Sequence, residues 1–147
     1  MMPDAEVALA WSDDVATLAL LQDRELTPAL LAELKAIGFP DNLGMVPGDA
    51  RQRQIFDAMR AILAAMPDTP DAAYMDNLAA DFAASYLTGA LDASPCESFW
   101  VSDEHLGCQE AMFDMRELYA ADGLAAADWR KRSDDHLVFQ LQFLSRR

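Results

Sequence analysis

The chain has 147 residues, of which 52% are hydrophobic, and a formal net charge of −14. That length buries a real core without staples, and that hydrophobic share argues against a disordered chain. The charge is uneven: residues 1–128 hold 23 acids against 6 bases, a net of −17, while residues 129–147 hold 5 bases (Arg130, Lys131, Arg132, Arg146, Arg147) against Asp134 and Asp135, a net of +3. So acidic a chain repels phosphate backbones, which disfavours nucleic acid, and attracts basic segments, mostly through on-rate.

Taken in order, Val7, Trp11, Val15, Leu18 and Leu21 recur at helical spacing and predict a first amphipathic helix over about 4–22. Thr27-Pro28 reads as an N-cap with proline at the first helical position, followed by the stripe Leu30, Leu31, Leu34 and Ile37 and a stop at Gly38. Phe39 to Gly48 is a loop. Asp49 caps the cleanest helix, with Ile55, Phe56, Met59, Ile62, Leu63 and Met66 on one face. Pro67 and Thr69-Pro70 break it. Met75, Leu78, Phe82 and Tyr86 then line the next helix, and Gly89 supplies its stop.

Thr88 to Asp103 has no helical repeat, yet it carries Phe99 and Trp100. A long loop that spends two large aromatics is either a core anchor or a binding surface. Ser102 then caps a helix with Asp103 and Glu104 in its first turn and Cys108, Ala111, Met112, Met115, Leu118 and Tyr119 as its stripe, closed by Gly123. After a linker over 124–132, Ser133 caps a last helix, with Asp134 and Asp135 in its first turn and Leu137, Leu141 and Leu144 facing inward. No period-2 alternation competes. The expected fold is all-α, a single domain over 1–147 built as a compact bundle of about six helices.

Two cysteines are too few for a disulfide framework and fit a reducing compartment. No basic n-region precedes an apolar run, and no uncharged apolar run approaches the roughly 20 residues that span a bilayer. The expectation is a soluble cytoplasmic protein. Cys96, His105, Cys108 and His136 are the only plausible metal set. Zinc ligands usually arrive in tight pairs, whereas Cys96 and His136 stand alone and Cys108 falls on an apolar stripe. Nor is there a nucleophile elbow, a phosphate loop or an H-E-x-x-H. Cys96 and His136 could form a nucleophile pair, but a sequence shows no proximity, and a loop cysteine and a helix-terminal histidine account for them without chemistry. The expectation is no catalysis, no metal and no cofactor. His136 is not needed for capping, and Asp135 beside it favours its charged form.

Pro95-x-Glu97-Ser98 after the long loop, Tyr119-x₃-Gly123-Leu124, and Asp135-His136-Leu137 opening a helix with Leu141-x-Phe143-Leu144 together resemble the TorD/DmsD/NarJ family, chaperones that mature molybdenum-containing oxidoreductases. The resemblance runs from about Asp76 to Leu144. It implies a non-catalytic helical protein that binds the N-terminal region of a client's catalytic subunit, in many members a twin-arginine signal peptide. Binding there precedes export or assembly and spans cofactor insertion. The family's peptide-binding positions carry over to Phe82 and Tyr86, to Pro95 and Ser98 with Trp100 beyond, and to Asp135 and His136. Glu97 and Asp135 would add attraction for arginine.

Departures exist. Cys96 stands where relatives commonly have a bulky aromatic, Asp134 where Pro or Glu is usual, and the loop after Gly89 is short. Members usually continue past the Asp-His helix, whereas this chain stops at Arg147, as a short member or a trimmed one. An uncovered Leu137/Leu141/Leu144 stripe then predicts a homodimer, swapped or face to face. The competing reading is an acidic helical adaptor or regulator that binds a folded basic partner. It would lack an aromatic groove near Phe82 and Trp100. The chaperone reading requires the loop and Asp135-His136 to be neighbours.

Overall fold

The computed structural model describes residues 5–88 and 93–147, so the stop expected at Gly89 lies outside the described residues. These residues form α1 (Ala5–Asp23), α2 (Pro28–Ala36), α3 (Ala50–Ala65), α4 (Ala72–Tyr86), α5 (Glu97–Val101), α6 (Glu110–Ala121) and α7 (Leu137–Leu144). The class is all-α, with no strand among the described residues. Seven helices replace the expected six because a five-residue helix, α5, sits inside the central loop. Five residues are too few to display a helical repeat.

Local chemistry sets several of the helix starts. Thr27 Oγ1 accepts from Leu30 N at 3.1 Å, Asp49 Oδ1 from Gln52 N at 2.8 Å and Asp71 Oδ1 from Tyr74 N at 2.8 Å. Each satisfies one of the amides that a helix N-terminus leaves without an intrahelical partner. α6 departs from expectation, beginning at Glu110 and not after Ser102. The Ser102 hydroxyl instead accepts from Leu106 N at 3.2 Å, closing a local turn. Cys108 then takes a left-handed φ of 58° that no helix accommodates, and it is exposed, not on an apolar stripe.

α1 and α7 pack together and run antiparallel. Ser12 Oγ donates to the Ser145 carbonyl, while at the other end of α1 Asp23 Oδ1 receives Arg132 Nη1 at 2.5 Å, just ahead of α7. The predicted stripe is covered only toward the C-terminal part of α1: Val7 and Trp11 are exposed, Val15, Leu18 and Leu21 are half-buried, and Asp14 and Ala19 beside them are buried. Asp14 is buried because it anchors a loop. Its carboxylate accepts from Gly44 N at 3.0 Å and Met45 N at 2.7 Å, pinning the α2–α3 loop to the helix.

α7, by contrast, is turned. Val138 and Phe143 are buried, whereas Leu137 and Leu144 are exposed, so the apolar stripe that suggested a dimer is not the helix's inward face. Phe143 meets Tyr119 of α6 with ring centroids 5.1 Å apart. Leu31 and Leu34 add a second buried centre on α2. Full burial of side chains of this kind contributes about 1.5–3 kcal/mol each. α3 and α4 contain no fully buried residue and flank this core.

Candidate functional site

The start of α7 and the central loop are tied to each other. Leu137 N donates to Pro95 O at 2.7 Å, Glu97 N donates to Asp135 O at 3.1 Å, and Cys96 and His136 form an isolated antiparallel bridge. Asp135 Oδ2 accepts from Ser98 N at 2.7 Å. Cys96, the N-cap of α5, provides no side-chain acceptor. The amides of Glu97 and Ser98 are therefore satisfied from another part of the chain, by the carbonyl and carboxylate of Asp135. Asp135 caps α5 across the fold. The Ser98 hydroxyl passes the chain of bonds on by accepting from Gln109 N, at the N-cap of α6, at 3.1 Å.

Both Ser98 and Asp135 have 0% of their surface exposed. Burial raises the Asp135 carboxyl, but the Ser133 and Ser98 hydroxyls and the Ser98 amide outweigh it and hold the acid below its ordinary value. Ser133 Oγ and Asp135 Oδ1 complete no hydrogen bond of good geometry, although the hydroxyl lies close enough to favour the ionised carboxylate. Asp134 points the other way: Arg116 Nη2 donates to its carboxylate at 2.7 Å and Tyr119 Oη to its carbonyl at 2.9 Å.

His136 corrects two expectations. It is the N-cap of α7, with Nδ1 accepting from Val138 N at 3.1 Å. Its pKa is driven down to about 4, first by burial and then by Arg132, against the pull of Asp135 and Asp23. At neutral pH the imidazole is uncharged. With Nδ1 engaged as acceptor, the proton sits on Nε2.

His136 also lines an open cleft of about 490 Å³ that joins the end of α4 (Tyr86, Leu87) to the loop (Pro95, Cys96), Phe99 and Arg132. A second depression, about 290 Å³, lies across the same Ser94–Cys96 segment and is lined by Glu97, Trp100, Leu137 and Gln140. Trp100 is 58% exposed and donates from Nε1 to Ser94 O at 2.8 Å, so it forms a wall of this depression and not a core anchor. Glu97 accepts from Gln140 Nε2 at 2.8 Å and stays exposed.

The structure thus gathers Tyr86, Pro95 and His136 on one cleft and Glu97 and Trp100 on its neighbour. Ser98 and Asp135 lie beneath, as the clasp that fixes the wall between them. Phe82 lines neither; it packs on Tyr86 with centroids 4.9 Å apart. The sequence reading missed Phe99, Lys131 and Arg132 as cleft residues. Their sign was readable in the basic segment 129–147, but their location was not. Of the four metal candidates, Cys96, Cys108 and His136 share the larger cleft, while His105 Nδ1 lies 2.9 Å from Phe99 O. No three His, Cys, Asp or Glu side chains among the described residues gather to hold a metal ion. Among these residues no helix is long and apolar enough to cross a membrane.

The described residues thus form a helical scaffold whose buried acid and histidine are both committed to shaping a wall between two open clefts. The family is shown by comparison. A profile of the nitrate reductase delta subunit family matches residues 50–147, which takes in α3 to α7. The chain belongs to this family, the NarJ/TorD-like chaperones of molybdoenzyme maturation, which is a chaperone family and not a catalytic one. No curated protein and no solved structure matches the chain.

Proposed function

We propose that the protein is a cytoplasmic chaperone that binds the N-terminal peptide of a molybdenum oxidoreductase's catalytic subunit, a twin-arginine signal in the exported case, while the cofactor is inserted. The observation that carries this reading is the pair of clefts on either side of Ser94–Cys96. The larger offers Tyr86, Pro95 and Phe99 to an apolar segment, and the uncharged His136 offers an Nε2 proton to a peptide carbonyl. Among its described lining residues there is no carboxylate to meet an arginine, and its cations Lys131 and Arg132 are already paired with Asp128 and Asp23. The arginines are therefore assigned to the neighbouring depression, where Glu97 supplies a carboxylate and Trp100 a ring face. Asp135, buried and bonded to Ser98, supports the wall and does not touch the peptide. Aromatic clefts beside Trp100 favour this reading over an adaptor for a folded basic partner.

Calorimetry tests it with a synthetic peptide carrying an Arg-Arg pair followed by an apolar segment. Tyr86→Ala should weaken binding by about tenfold, and Glu97→Gln, a rim charge, by about threefold. Wild-type protein that binds the Arg-Arg and an Ala-Ala version equally well refutes the assignment of Glu97. Absence of binding to either peptide refutes the reading as a whole.

A further inference from the structure

A face that the clefts do not use carries an ordered stack of aromatic and cationic groups. The guanidinium of Arg116 on α6 lies 5.6 Å from the centroid of the Phe113 ring and 5.7 Å from that of Trp129. Arg130 lies over the same Trp129 ring at 5.1 Å. Phe113 is 53% and Trp129 55% exposed, and an open depression of about 270 Å³ adjoins Trp129 and Arg116. Arg116 is held by Asp134, whose carboxylate side chain is only 4% exposed. The sandwich is thus fixed before any partner arrives, which lowers the ordering cost of association. Arg130 has no ion pair among the described residues, so its donors are free to meet a carboxylate.

Trp and Arg are the residue types that most often carry binding energy at interfaces. Charge selects the occupant. In a chain with a net of −17 over residues 1–128, Arg130 is a cation with no ion pair among the described residues, so this face can attract a carboxylate where most of the surface repels one. A basic partner has better ground elsewhere. A second copy of this chain brings its own −14 and is repelled as a whole, whereas a short acidic stretch is not. We infer that the Phe113–Arg116–Trp129–Arg130 face docks an acidic, partly apolar segment of a partner protein. A carboxylate pairs with Arg130 and an apolar side chain lies on Trp129. This surface is independent of the peptide assigned to the clefts.

The test is fluorescence anisotropy with a short labelled peptide that alternates Glu or Asp with Leu, beside its Gln/Asn counterpart. The acidic peptide should bind, and added salt should weaken it. Arg130→Glu and Trp129→Ala should each weaken it about tenfold with an unchanged circular dichroism spectrum. Arg130→Glu should leave the Arg-Arg peptide's affinity within about threefold, which separates this surface from the clefts. Equal affinity for the Gln/Asn peptide, or no effect of Arg130→Glu, overturns the inference. Equally effective displacement by polyphosphate reduces the face to general anion attraction and also overturns it. Concentration-dependent dimerisation abolished by Trp129→Ala makes a second copy the occupant and overturns the choice of partner.

Discussion

Replacing Asp135 separates two roles that a sequence motif cannot distinguish. In Asp135→Ala the Ser98 amide loses its acceptor in a place with no access to water, and α5 loses the side-chain half of its cap. A buried donor left unsatisfied costs about 1–3 kcal/mol. The cavity left by the side chain acts in the same direction. Asp135→Asn is different. Its oxygen can still accept from Ser98 N, and its amide group can donate to Ser133 Oγ, which is buried beside Asp135 without completing a hydrogen bond of good geometry in the native protein. The expected cost of Asn is below about 1 kcal/mol, since a hydrogen bond to an ionised group is exchanged for neutral ones. Urea unfolding followed by circular dichroism measures both. The same pair should behave alike in peptide binding: Ala weakens affinity by loosening the wall, and Asn preserves it. If Asn abolishes binding of the Arg-Arg peptide while leaving stability intact, the carboxylate itself meets arginine and the clasp argument is wrong.

Three further outcomes follow from the same geometry. Because folded His136 has its pKa lowered to about 4 while the unfolded imidazole titrates near 6.5, the unfolded state takes up the proton first as pH falls, and stability is lost between about 6.5 and 4 by up to about 3 kcal/mol. Urea midpoints should fall across that window in the native protein and much less in His136→Asn, which keeps an N-cap acceptor; equal slopes refute the assignment. Cys96, pushed up to about 11 by burial first and by Asp135 next, should react with a disulfide reagent at pH 8 at least about tenfold more slowly than exposed Cys108, and a single rate for both thiols contradicts it. Tyr119→Phe removes the bond to the Asp134 carbonyl and should cost about 0.5–1.5 kcal/mol in urea unfolding, with no cost at all arguing against the bond.

What the sequence disclosed depended on how far each interaction reaches along the chain. Thr27 and Asp49 were legible as caps because each bonds an amide three residues ahead. α5 was not, since its amides are answered by Asp135, 37 residues beyond Ser98. Ser133 looked like the cap of α7 and His136 did not. The backbone folds instead through a turn in which His136 N donates to the Ser133 carbonyl at 3.1 Å, so the helix starts later. Asp14 carried no signal in the sequence, because its burial depends on the loop amides of Gly44 and Met45, about thirty residues away. The pairing of the Pro95–Ser98 segment with Asp135-His136 was anticipated through the family resemblance, and the geometry bears out that the two are neighbours. That Ser98 and Asp135 face each other, and not the clefts, required coordinates.

The antiparallel meeting of α1 with α7 also makes the topology almost closed. Ser12 and Ser145 touch, so the first and last described helices lie side by side although most of the chain separates them. This contact is about as non-local as the chain allows, and contacts of this kind form late and slow folding. The contact lies only about 10 Å along α1 from its start at Ala5, a gap a short linker spans, which permits a different wiring of the same packing. A circular permutant that joins the α7 end to the α1 start, with new ends opened between α3 and α4, should keep every helix in place. In that version the clasp between Ser98 and Asp135 stays intact, and the contact that closes the native chain becomes a local one.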